Sequence, residues 1–192
     1  MRLARVALLW ATAMTLTAAT RPEIVEGNPA SPVKVVIYED LQCGDCRNFR
    51  ALLDEKLLPK YGARVAFVHR DFPLGRHDWA RPAAIAGRWI ATQSTGLAII
   101  YQRELYAEQN NITLAGLKPW LAEFAVRNHL DSKAIVASLS DPVLTAAVDQ
   151  DLQSARGRGI ARAPTVFIGS ASLVETIVYD DIARAIDEAI PH

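Results

Sequence analysis

Residues 33–49 read VKVVIYEDLQCGDCRNF, and the fold turns on how this stretch is divided. Val33 to Tyr38 is a short β-branched run, best accommodated as a buried strand. Gly44 then opens a helical pattern. Phe49, Leu52, Leu53, Leu57 and Leu58 fall on one side at spacings near 3.6, and Gly62 ends the pattern. Arg64 to His69 (RVAFVH) returns to alternation and β-branching and reads as a second strand. Strand, helix and strand joined by a short return form a βαβ unit, with parallel strands and a right-handed crossover.

Both cysteines of the chain sit in one motif of this unit, Cys43-Gly44-Asp45-Cys46, directly after the first strand and at the start of the helix. A CxxC pair at the strand-to-helix turn of a βαβ unit points to thioredoxin-like redox chemistry. The spacing puts both sulfurs on the first helical turn, close enough to bond. The helix N-terminus supplies free N–H groups and positive potential, which favour a thiolate. Cys43 is therefore expected to be the exposed nucleophile and Cys46, one turn inward, the resolving thiol. A static disulfide over so short a loop would remove little unfolded-state entropy. A metal site would have to recruit His69, His77 or His129, and there is no second CxxC and no His pair at ligand spacing. No metal and no organic cofactor is expected.

The remaining sequence extends the frame. From about residue 77 to 158 the pattern is almost wholly helical, with segments at about 78–93, 97–108, 114–129, 132–139 and 141–158. Asp131 and Asp141 are placed as N-caps. This block reads as a helical subdomain inserted into an α/β frame. Thr165 to Ile168 resumes the strands, Gly169 to Ala171 turns, and Leu173 to Val178 completes a hairpin. Asp180 or Asp181 is expected to cap a final helix with Ile182, Ile186 and Ile190 on one stripe. With 192 residues, 51% hydrophobic and 22% charged, the chain has material for one well-filled domain, residues 32–192. Its 21 basic and 21 acidic residues give no basic excess for nucleic acid. Residues 1–19 read as a secretory signal: Arg2 and Arg5 precede an apolar run too short to span a bilayer, and Thr17-Ala18-Ala19 suits cleavage. Residues 20–31, with two prolines and a glycine, read as a linker. The mature protein is expected outside the cytoplasm, soluble, and where disulfides persist.

With VKVVIYEDLQCGDCRNF, FPLGRHDWARPAAIAGRW at 72–89 and GIARAPTVFIG at 159–169 in view, the chain resembles the DsbA-like family of exported thioredoxin-fold disulfide oxidoreductases. The likeness covers nearly all of the expected mature chain. It implies a thioredoxin-like fold with the helical insertion, and disulfide exchange with protein thiols through a mixed disulfide at Cys43. It implies that Pro164, after Ala163, is cis and packs beside the redox pair, and that Glu39 or Asp40 sits below Cys46 as a proton relay. It also implies protein thiol or disulfide substrates, a membrane redox partner that resets the pair, and a monomer. The alternatives within reach of the same residues are an envelope reductase or isomerase kept reduced by a membrane partner, and a non-enzymatic chaperone or metal-binding module. His69 and His77 are weaker candidates for the site. Arg47 could offset charge near the thiols, and Trp79, Trp89 and Phe49 read as core. The chain departs from the family in the dipeptide between its cysteines. The negative charge of Asp45, beside Gly44, is expected to oppose the Cys43 thiolate. That places its pKa nearer the ~7 of thioredoxin than the ~3.5 of DsbA.

Overall fold

The computed structural model describes residues 22–191; the signal reading of residues 1–19 lies outside them. Among these residues, five strands, β1 (Ile24–Gly27), β2 (Lys34–Glu39), β3 (Ala66–Asp71), β4 (Thr165–Ile168) and β5 (Ala171–Val174), form one sheet in the order β1-β3-β2-β4-β5. The central pair, β2 (Lys34–Glu39) and β3 (Ala66–Asp71), is parallel. Between them run α1 (Gly44–Leu52), a π-helical turn (Leu53–Leu57) and α2 (Leu58–Tyr61). This is the crossover expected from the 33–69 stretch. β4 (Thr165–Ile168) pairs antiparallel with the other edge of β2, and β5 (Ala171–Val174) pairs antiparallel with β4.

Alternation along the strands sorts side chains into two cores. Val35 and Ile37 of β2 and Val166 and Ile168 of β4 face one side. There they pack with Phe49, Leu53, Leu57 and Tyr61 and with Ile182 and Ile186 of α8 (Tyr179–Ala189). Tyr38 and Phe167 face the other side, under the inserted helices α3 (Ala80–Gln93), α4 (Thr95–Ala107), α5 (Leu114–Arg127), α6 (Ser132–Ser138) and α7 (Pro142–Gly157). Trp79, Ile90, Tyr101, Leu105 and Phe124 fill that second core, together with both cysteines. Asp131 and Asp141 cap α6 and α7 as expected; the Asp131 carboxylate accepts from the Lys133 and Ala134 N–H groups at 2.8 and 3.0 Å.

Three expectations are corrected. The segment read as linker carries a strand, β1 (Ile24–Gly27), antiparallel to β3. Gly27 closes it at φ +80°, where a Cβ would lie 2.4 Å from the Val65 carbonyl oxygen, so only glycine fits. The last helix is not capped by Asp180 or Asp181. Val178 holds the N-cap position and both aspartates lie in the first turn, where the helix dipole favours negative charge. The second hairpin strand ends at Val174 rather than Val178.

Candidate active site

Cys43 is the N-cap residue of α1 and Cys46 lies in its first turn. The strand β2 and the helix meet at this point, so the motif stands at the end of the parallel pair. Cys46 is fully buried. Cys43 is also largely enclosed, at 5% exposure, which corrects the expectation of an exposed nucleophile. Gly44 and Asp45 between them are exposed. A Cβ on Gly44 would meet nothing within 4 Å, so the approach over the first turn is open.

The two thiols are displaced in opposite directions. A hydrogen bond from Cys46 is the largest influence on Cys43. It outweighs burial and, with the backbone N–H groups of Cys46 and Asp45, lowers the Cys43 pKa to about 6. Burial, reinforced by Cys43, pushes Cys46 well above the usual thiol range. The anion that opposes the Cys43 thiolate is Asp40, not Asp45. Asp45 points into water, which screens its charge, and it acts through its backbone N–H.

The loop from 159 to 164 brings its backbone against the pair. The Ala163–Pro164 peptide is cis, and the Cys43 Sγ donates to the Ala163 carbonyl at 3.4 Å. Gln109, in the loop after α4, holds the motif from the other side. Its Nε2 donates to the Leu41 and Cys43 carbonyls at 2.9 and 3.0 Å. Nothing in the spacing of the sequence marked Gln109.

Glu39 and Asp40 are both buried, and they take separate roles. The Asp40 backbone N–H donates to the Cys46 Sγ at 3.4 Å. The Asp40 carboxylate accepts from the Gln42 N–H at 2.7 Å, the Leu74 N–H at 2.6 Å and His77 Nδ1 at 2.8 Å. Glu39 turns to the inserted helices and β3. It accepts from the Tyr106 hydroxyl at 3.1 Å and pairs with His69 Nδ1 at 2.6 Å. His69 does not end its strand, which runs on to Asp71. Its Nε2 meets Glu26 of β1 at 3.0 Å, and Glu26 pairs in turn with Arg50 of α1 and, at 2.6 Å, Arg103 of α4. Burial works against charge on His69, but Glu39 and Glu26 outweigh it and lift its pKa to about 9. Burial likewise works against Glu26, yet His69 and Arg50 hold it at about 2. Arg47 lies away from these groups, donating to Asn110 at 3.0 Å.

A family model described as Thioredoxin matches residues 19–188. The chain belongs to the thioredoxin family. Among solved structures, this thioredoxin-family chain is similar to oxidised BdbD from Bacillus subtilis, at TM-score 0.77 and 19% identity, over 88% of this chain and 92% of that one. It is similar to alpha-DsbA1 of Wolbachia pipientis, at TM-score 0.74 and 18% identity, over 87% and 90%. A thioredoxin-like oxidoreductase from Silicibacter pomeroyi DSS-3 matches at TM-score 0.72 and 22% identity, over 88% and 92%. The fold is thus the thioredoxin-like fold with a helical insertion, in its DsbA-like form. In sequence, 102 residues are 32% identical to Na(+)/H(+) antiporter NhaA 1 of Mycobacterium sp. strains KMS and JLS. They make up 52% of this chain and only 16% of those proteins. Among the described residues no helix of the thioredoxin-family chain is long and apolar enough to cross a membrane.

Proposed function

We propose that this protein is an exported thiol:disulfide oxidoreductase acting on protein thiols. The reading rests on the split between the two sulfurs: one thiol acidic, at about 6, the other held protonated by burial. A substrate thiolate attacks the Cys43 sulfur of the Cys43–Cys46 disulfide, and the Cys46 sulfur leaves and takes up a proton. A second substrate thiolate then attacks the substrate sulfur of the mixed disulfide and releases Cys43 as its thiolate, a good leaving group because its pKa is low. The substrate is oxidised by two electrons and the pair is reduced by two. In the reverse direction the Cys43 thiolate attacks a substrate disulfide and Cys46 resolves the adduct. The exposed, open turn at Gly44 and the backbone of Ala163 beside the sulfur suit an extended protein chain as substrate. An oxidising compartment outside the cytoplasm, a membrane partner that resets the pair, and a monomeric state complete the proposal.

Two measurements test it. A Cys46→Ser variant is expected to accumulate mixed disulfides with reduced protein substrates, seen as mobility shifts on non-reducing gels; a Cys43→Ser variant forms none. Alkylation of the wild-type protein trapped in its own cell envelope gives the direction: a disulfide indicates an oxidase, a dithiol a reductase or isomerase. A pair that exchanges with neither substrate nor glutathione overturns the reading.

A further inference from the structure

The loop that touches Cys43 also borders a cavity. Arg162 directly precedes Ala163, whose carbonyl accepts from the Cys43 sulfur at 3.4 Å. Two bonds fix this loop: the Thr165 hydroxyl donates to the Arg162 carbonyl at 2.7 Å, and the Glu175 N–H donates to the Pro164 carbonyl at 2.8 Å. Between the loop, the end of α7 and strands β4 and β5 lies a cavity of about 270 Å³. Ile160, Phe167 and Val174 give it apolar walls, and Arg158 and Arg162 add charge. The two arginines differ. Arg162 is paired with Glu175 at 2.6 Å. Arg158 has no acid: among the described residues its guanidinium makes no ion pair and no hydrogen bond, and its Cζ lies 5.5 Å from the centre of the Phe167 ring. Nor is it needed to cap the helix. The backbone N–H groups of Arg158, Gly159 and Ile160 already take the carbonyls of Ser154, Ala155 and Arg156, with Gly159 at φ +73° making the turn.

We propose that Arg158 is a specificity residue: the cavity receives an acidic side chain of the protein substrate near its reactive cysteine, and the Arg158 guanidinium binds the carboxylate. The inference rests on the oxidoreductase reading and names a substrate class for it, segments in which Asp or Glu lies close to the cysteine. A guanidinium presents a fork of N–H donors that matches a carboxylate. Resting on a ring, Arg158 keeps all of those donors free. The apolar walls suit the methylene stem of the incoming side chain. An apolar side chain would fill the same space but cover the guanidinium and leave its donors unmet, which costs free energy. A basic one would be repelled by Arg158, since the acid at this place, Glu175, is already held by Arg162. The loop that borders the cavity also meets the sulfur, so one stretch of substrate chain engages both.

The test uses pairs of single-cysteine peptides that differ only in Glu against Gln, placed at successive positions on either side of the cysteine. The rate at which each peptide thiol reduces the oxidised protein is measured for wild type, Arg158→Gln and Arg158→Glu. The Glu-to-Gln rate ratio is taken within each protein, so any loss of folded protein cancels, and the effect of Glu on the peptide's own thiol is common to all three. At the position that reaches the cavity, the wild-type ratio is expected to be roughly threefold that of Arg158→Gln, the size of one partly exposed ion pair. Arg158→Glu is expected to lower the ratio further. High salt, at about 0.5 M, is expected to bring wild type toward Arg158→Gln, because it screens charge at the surface. Equal ratios in wild type and Arg158→Gln at every position overturn the proposal, as does a ratio in Arg158→Glu as high as that of wild type. Failure of the oxidoreductase reading looks different: no peptide of either charge, and no dithiothreitol, would then reduce the wild-type protein by exchange.

Discussion

The Cys46 thiol and the backbone N–H groups of Cys46 and Asp45 donate toward the Cys43 sulfur, and the charge of Asp40 works against its thiolate. Charge in the dipeptide therefore matters less than its position between the cysteines suggests. Asp45→Asn is expected to move the Cys43 pKa by less than about 0.3 unit, because water screens an exposed carboxylate. Titration of the thiolate absorbance checks this, and a fall of a full unit would return Asp45 to the leading role. The asymmetry of the two thiols also sets their order of reaction. Thiolate is the reactive form, so near neutral pH limiting iodoacetamide is expected to label Cys43 at least about tenfold faster than Cys46. Peptide mapping reads the ratio, and a preference for Cys46 would exchange the two roles. Among neighbouring acids, the sequence could name Glu39 and Asp40 but not divide their work. The division depends on partners thirty or more residues away, His69 and His77, each of which reads alone as an unremarkable histidine.

The insertion is fastened to the sheet by buried charge. Arg88 of α3 bonds Asp71 at the end of β3 and, at 2.6 Å, Asp151 of α7, whose carboxylate also accepts the Asp71 N–H at 3.1 Å. Arg88→Ala leaves two carboxylates together in the interior. It is expected to destabilise the protein by about 3–5 kcal/mol, read from the urea midpoint; a loss under 1 kcal/mol would show that the apolar contacts of α3 alone hold the insertion. At this scale the elements carried by periodicity were legible. β2, α1 and β3 were announced by a β-branched run, an apolar stripe and a second alternation, and Asp131 and Asp141 by cap chemistry. β1 was not legible. IVEG is four residues long, lies between prolines, and contains a glutamate whose burial makes sense only with His69, Arg50 and Arg103 around it. The π turn was hidden as well. Phe49, Leu53 and Leu57 recur every four residues, a spacing that drifts around a regular α-helix. The wider i→i+5 turn at Leu53–Leu57 keeps them on the buried side.

Across the whole molecule, three strands and two helices converge on one chain of charges, Glu39–His69–Glu26 with Arg50 and Arg103, beneath the redox pair. Each ring nitrogen of His69 faces a carboxylate, so the ring serves the fold as an imidazolium. Its pKa is about 9 in the folded protein, against about 6.5 unfolded. The stabilisation is complete below the unfolded value and is lost as pH rises through the folded one. Glu26, at about 2, contributes above its unfolded range near 4.3 and loses that contribution as pH falls through 2; Asp71, raised by burial, works the other way on the acid side. The Cys43 thiol confounds the alkaline limb in the reduced protein. Its pKa is depressed to about 6, so ionisation adds stability between there and the ordinary thiol range, where His69 is losing it. In the disulfide form that thiol is absent and His69 acts without it. The urea midpoint of the oxidised protein is therefore expected to fall between pH 6.5 and 9.5, while that of the reduced protein falls less or rises. Equilibrium unfolding of both forms across that range measures the difference. A flat profile in the oxidised form would mean that His69 is neutral and that its two carboxylate partners do not hold it as an imidazolium.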